Sequence, residues 1–203
     1  PFAAYIIISI IGSWFPCGNL YTYPIKTIIV GLILLYFREE YSELFENINI
    51  RSVVRSIVIG ILAFIIWIAP EGLYPQLGYS EFNPTVVGTP YFRMILIIFR
   101  ITGAVLIVPV FEELFWRSFL ARWIIRSDFK SVKIGDFTIF SFIMTSLLFG
   151  IAHHRWLVGI MVGLLYNWLL YRDKKLLSCV IAHAITNLLL AIYILMTSQW
   201  SFW

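Results

Sequence analysis

The 203-residue chain is 61% hydrophobic and only 13% charged, with a mean hydropathy of +0.88. A water-soluble domain of this length needs far more charge to coat its surface, so that class is excluded. The formal net charge of +4 implies no nucleic-acid partner, because the basic residues flank apolar runs instead of forming a patch.

The apolar runs fall at about residues 2–18, 21–37, 53–69, 91–126, 137–153, 156–171 and 176–197. Each approaches the roughly 20 residues that cross a bilayer core. In lipid such a run must be helical, since every backbone N–H and C=O needs a partner within the segment. The expected fold is all-α: a polytopic transmembrane helix bundle of seven or eight spans, forming one integral-membrane domain over 1–203. Eight Trp and eleven Tyr suit anchors at the lipid–water boundary.

Along the chain, the first run lacks a basic lead-in and a small-residue cleavage site, so it reads as a span and not a signal peptide. Cys17 and Cys179 belong to no C-x-x-C pair and read as packing residues. The 38–55 connection carries Arg38, Arg51 and Arg55. The 70–90 connection has no Lys or Arg, contains Glu71 and Glu81, and is rich in Pro and Gly, so it reads as a tether. The fourth run, 91–126, is too long for one straight span and is interrupted at Gly103 and Pro109. It reads as an interfacial helix followed by a span, or as two spans, with Arg100 snorkelling to an interface. The 117–136 connection holds Arg117, Arg122, Arg126, Lys130 and Lys133, and the 172–175 turn holds Arg172, Lys174 and Lys175. By the bias of Lys and Arg toward cytoplasmic loops, these connections and the N-terminus face the cytoplasm and the 70–90 loop faces outward.

Ionisable groups within the hydrocarbon cost about 2.5–3.5 kcal/mol each on insertion scales and so need a reason. Three clusters stand out: Glu112-Glu113 with Arg117, Phe149 with His153-His154-Arg155, and His183 with Asn187. Glu113 and Arg117 are four residues apart, share a helix face and read as a structural ion pair. Glu112 is rotated by about 100° from Glu113 and is free to face the bundle interior. His183 and Asn187 repeat the four-residue spacing, as do Phe149 and His153, which sets an aromatic ring beneath the imidazole. His154 and Arg155 read as interfacial. Three helices thus present polar groups to a common cavity.

A carboxylate beside an imidazole can deprotonate a water that attacks a peptide carbonyl. A second imidazole and an amide can stabilise the resulting oxyanion. A glutamate and two histidines are also the ligand set of some catalytic zinc sites, here Glu112, His153 and His183. Residue types alone do not separate the two schemes.

In order and spacing, Glu112-Glu113-x-x-x-Arg117, Phe149-x-x-x-His153 and His183-x-x-x-Asn187 resemble the motif set of the CPBP family. That family contains the type II CAAX prenyl endopeptidases and bacteriocin-related bacterial proteins, and the resemblance covers about residues 91–197. Three stretches are similar to the CAAX prenyl protease-related proteins of bacterial exosortase/PEP-CTERM sorting systems: Tyr36-Phe37-Arg38, the segment from Val108 to Leu120, and the segment from His153 to Leu157. The resemblance implies an intramembrane endopeptidase in the cytoplasmic (inner) membrane of a bacterium. It implies that Glu112 and His153 activate water, that His183 and Asn187 hold the oxyanion, and that Glu113, Arg117 and Phe149 shape the site. It implies a membrane-associated peptide or protein substrate, such as a sorting signal or a prenylated C-terminus. The favoured mechanism requires no cofactor, with Zn2+ on Glu112, His153 and His183 as the alternative.

Rival classes lack their marks. There is no His-Glu-x-x-His, no Gly-x-Ser-Gly, and Gly135-Asp136 has no second intramembrane Asp. Two other functions compete: a non-catalytic binding or immunity protein, and a transporter, for which the paired broken helices are missing. Depth constrains the site. At about 1.5 Å per residue, His183 lies about 10 Å from Leu176 but His153 about 24 Å from Phe137. A shared site therefore predicts that residues 130–141 lie at the surface.

Overall fold

Each apolar run becomes a helix, because backbone groups withdrawn from water must find partners within their own segment. In the computed structural model, which describes residues 1–78 and 82–203, seven helices follow one another: α1 (Phe2–Ser13), α2 (Gly18–Tyr36), α3 (Ile50–Ile68), α4 (Pro90–Ile125), α5 (Ile139–Ile151), α6 (Trp156–Asp173) and α7 (Leu176–Thr197). Among the described residues there is no β-strand. Four of the seven, α2, α3, α4 and α7, are long and apolar enough to cross a membrane, whereas α1 and α5 are apolar but shorter. The expected seven or eight spans are thus seven helices, four of them of spanning length.

The fourth run is a single helix, not two spans. It changes pitch instead of breaking: α-helical over Pro90–Thr102, π-helical over Gly103–Ile107, α-helical over Val108–Glu113, π-helical over Leu114–Leu120 and α-helical to Ile125. Pro109 follows the first π turn, where the hydrogen-bond ladder has already shifted register, so its missing N–H does not end the helix. Arg117 belongs to this helix and is fully buried, so it is no part of the connection in which the basic residues were counted. That connection starts only at Arg126.

The bundle packs α5 on α6, α3 on both α6 and α7, and α1 on α2. Glycines set the closest approach. A Cβ on Gly150 would lie 2.5 Å from the Ile160 backbone nitrogen, and one on Gly159 would lie 2.9 Å from the Gly150 Cα. Helix α5 begins late, at Ile139, where the Thr138 hydroxyl accepts from the Ser141 N–H at 3.1 Å. Of residues 130–141, expected at the surface, 136–140 are exposed, whereas Val132, Gly135 and Ser141 are buried.

The basic connections gather at one end of the bundle. Arg55 pairs with Asp173, Lys175 with Glu46 at 2.5 Å and Arg122 with Glu43 at 3.5 Å. At the other end the 70–90 connection is docked and not a free tether; Glu81 lies outside the described residues. Arg155 grips the Glu71 carboxylate with two hydrogen bonds, 2.9 and 2.7 Å long, and also donates to the Ser201 carbonyl at 2.8 Å. The Leu77 N–H donates to the His154 carbonyl at 2.8 Å, and the Trp156 indole donates to the Pro75 carbonyl at 3.0 Å. The turn between α5 and α6 has polar backbone to satisfy, and the loop satisfies it. Arg155 is therefore buried within the protein.

Two outcomes follow from this packing. Gly150→Val is expected to force α5 from α6 and destabilise the protein by about 1–3 kcal/mol, the usual cost of overpacking, measured by denaturation in detergent. The hydrogen bonds from Arg155 hold the Glu71 carboxyl below its ordinary range. A depressed carboxyl stabilises the fold above its unfolded-state pKa and loses that contribution as pH falls through the folded value. Hydrogen-exchange protection of the Leu77 amide is therefore expected to persist at neutral pH and decline below the usual carboxylate range, and Glu71→Gln is expected to remove that pH dependence.

Candidate active site

Glu112 sits in the six-residue α segment between the two π turns of α4. Phe149 closes α5, His153 lies in the turn that follows it, and His183 and Asn187 project from α7. Glu112, Phe149, His153, His183 and Asn187 all line one cavity of about 610 Å³. The Phe149 ring lies 4.6 Å from the His153 ring and 6.3 Å from the His183 ring, so the two imidazoles share one site.

The His153 Nδ1 lies 2.7 Å from the Phe149 carbonyl. A carbonyl only accepts, so Nδ1 carries the proton and Nε2 is left with a lone pair. That Nε2 lies 4.0 Å from Glu112 Oε2, beyond direct hydrogen-bonding range. Glu112 Oε2 is buried and has no hydrogen-bond partner among the described residues. Two acceptors thus face each other across a gap wide enough for one water donating a hydrogen to each.

Glu113 does more than pair with Arg117. Its Oε2 lies 3.2 Å from Arg117 Nε, and its Oε1 accepts from His183 Nδ1 at 2.8 Å. Both Glu113 and Arg117 are 0% exposed. The guanidinium lies 4.3 Å from the centre of the Phe149 ring, a cation–π contact that ties the pair to α5. With Nδ1 committed to Glu113, His183 has only Nε2 left for another partner.

Asn187 departs from the expectation that its amide is wholly given to the cavity. Its Nδ2 donates to the Ala104 carbonyl at 2.7 Å. The Val108 N–H is taken by Gly103 in π fashion, so the next donor in that register is Pro109, which has no N–H. Asn187 supplies the missing bond. The amide still holds a second N–H.

Other wall residues escaped the sequence reading. Lys26 is buried on α2, and Arg100 lies over Tyr23 at 4.4 Å instead of snorkelling. Both line the cavity, as do Trp67, whose ring is 5.5 Å from His153, and Tyr166, hydrogen-bonded to Thr186 at 2.7 Å. A lone lysine inside the 21–37 run was the signal for the first; aromatic residues gave none. No three His, Cys, Asp or Glu side chains among the described residues converge at metal-ligand spacing. Nδ1 of each histidine is committed to an acceptor, which leaves only Nε2 of each for a further partner.

Residues 90–189 match the family model described as Type II CAAX prenyl endopeptidase Rce1-like. No curated protein and no solved structure matches significantly.

Asn187→Ala is expected to cost about 1–3 kcal/mol by leaving the Ala104 carbonyl unpaired. Pro109→Ala, which restores an N–H, is expected to offset part of that loss in a double-mutant cycle read by denaturation in detergent.

Proposed function

Because its motif-bearing half, residues 90–189, belongs to the Rce1-like family of type II CAAX prenyl endopeptidases, we propose that this integral membrane protein is a protease whose cavity hydrolyses a membrane-associated peptide or protein. The observation that carries the reading is the 4.0 Å gap between Glu112 Oε2 and His153 Nε2. A water donating one hydrogen to each keeps its lone pairs toward an incoming carbonyl. As the C–O bond forms, Glu112 takes the water's proton, and the carbonyl oxygen becomes an oxyanion. The second N–H of Asn187 is set to receive that charge, joined by His183 Nε2 when that ring carries a proton on both nitrogens, since its Nδ1–H is given to Glu113. Cleavage of the C–N bond follows when Glu112 returns the proton to the leaving amine. Glu113, braced by Arg117, orients the His183 ring, and Phe149 orients His153.

No step is routed through a metal, since the donor set lacks the convergence a zinc site requires. The candidate substrates are a prenylated C-terminus, in keeping with the family's description, and a bacterial sorting signal, in keeping with the sequence likeness. Positive residues at the Arg55–Lys175 end support a cytoplasmic N-terminus in a bacterial inner membrane.

Glu112→Gln and His153→Ala are each expected to lower hydrolysis of a processed membrane peptide by roughly 10²–10⁴-fold while the protein stays folded. A chelator is expected to leave the wild type unchanged. Undiminished processing by both variants would point instead to a binding protein, and loss on chelation to the zinc scheme.

A further inference from the structure

The turn that carries His153 contains nothing that breaks a helix. It reads Ile151-Ala152-His153-His154-Arg155-Trp156, without Gly or Pro, and Ala and Arg are among the better helix formers. Yet α5 stops at Ile151, and Arg155 leaves the helical region at φ −89°, ψ 61°. The approach of Gly150 to Gly159 demands a reversal between them, but it gives the polar groups of the turn no partners.

Those partners come from residues 71–77. The three residues after His153 are each bound by this one segment. Leu77 and His154 form a reciprocal pair: the Leu77 N–H donates to the His154 carbonyl at 2.8 Å, and His154 Nδ1–H donates to the Leu77 carbonyl at 2.7 Å. Arg155 holds both oxygens of Glu71, at 2.9 and 2.7 Å, and the Trp156 indole donates to the Pro75 carbonyl at 3.0 Å. Glu71 is steadied in turn by Gln76 Nε2 at 3.0 Å. Gly78 permits the close approach: it sits at φ +83°, and a Cβ there would lie 3.2 Å from His154 Nδ1.

Without these bonds the backbone would be free to wind α5 onward. The His153 N–H, now bonded to the Gly150 carbonyl, would then take that of Phe149, four residues back. The Phe149 oxygen is the acceptor that keeps the imidazole hydrogen on Nδ1, at 2.7 Å. Once it is consumed, the hydrogen distributes between both ring nitrogens, and the lone pair toward Glu112 is no longer assured.

We propose that residues 71–77 are a strap that sets the tautomer of His153, with Glu71 and Arg155 as positioning residues for hydrolysis. Glu71 is not among the residues that line the cavity, so its influence on the rate passes through Arg155 and the turn. The consequence for rate rests on the peptidase reading; the consequence for the tautomer does not.

The test uses the full chain in detergent, carrying Glu71→Ala. It reads hydrogen exchange at the Leu77 amide, nitrogen NMR of the His153 ring (assigned by its loss in His153→Ala), and kinetics on the membrane peptide that the wild type processes. The wild type is expected to hold its neutral His153 hydrogen on Nδ1. In Glu71→Ala the Leu77 amide is expected to lose protection, the hydrogen to spread over both nitrogens, and kcat to fall roughly 10–100-fold with KM unchanged, the scale of a slightly misplaced catalytic group. Glu71→Asp is expected to retain part of the rate. Trp156→Phe, which removes one donor and keeps a ring, is expected to shift all three readings the same way by less, and it decides where Glu71→Ala does not fold. An exposed Leu77 amide with the hydrogen still on Nδ1 overturns the proposal, as does an amide that stays protected in both variants. A raised KM with unchanged kcat overturns it in favour of a loop that contacts substrate. A tautomer that follows the strap in a protein that cleaves no peptide upholds the strap and removes the peptidase reading.

Discussion

A buried arginine needs an anion, and in this protein meeting that need organises the site. Glu113 neutralises Arg117 in surroundings where neither touches solvent, and the same carboxylate fixes His183. Removing either charge alone would leave the other stranded in a medium of low dielectric, a far greater cost than the pair itself contributes. Arg117 then lies on Phe149, whose ring separates the two histidines. Helices α4, α5 and α7 are thus registered by one polar knot, and the groups facing the cavity inherit their positions from it.

The second organising device is the uneven pitch of α4. A regular α-helix would carry Glu112, Glu113 and Arg117 around a uniform spiral. Two π turns flank the glutamates instead, and π turns recur at functional sites. Pro109 adds a backbone carbonyl without its usual partner, which Asn187 of α7 satisfies. Irregular backbone within an apolar bundle is tolerated here because a neighbouring helix completes its hydrogen bonding.

Much of this was legible from the residues. Helix positions followed from apolar runs, and Glu112, His153, His183 and Asn187 were visible because polar groups in such runs are costly. What stayed hidden depends on contacts distant in sequence. Arg117 was counted as a loop residue along with the basic residues that follow it, yet Glu113 keeps it inside. The 70–90 segment looked slack from its Pro and Gly content, whereas its docking depends on Arg155, some 84 positions from Glu71. Lys26 and Arg100 come from separate helices and both lie against the Tyr23 ring. The seven apolar runs appear as seven helices, of which four are of spanning length and α5 is shorter.

The tautomer of His153 is written in main chain, not in any side chain. The last carbonyls of a helix have no donor along their own ladder, and the His153 N–H turns to Gly150, leaving Phe149 oxygen for the imidazole. Replacing the Phe149 ring would leave that oxygen in place. Winding α5 on by another turn would consume it and free the ring to carry its hydrogen on the opposite nitrogen, abolishing the lone pair toward Glu112 with every amino acid unchanged. Where a helix stops thus determines which atom can act as a base.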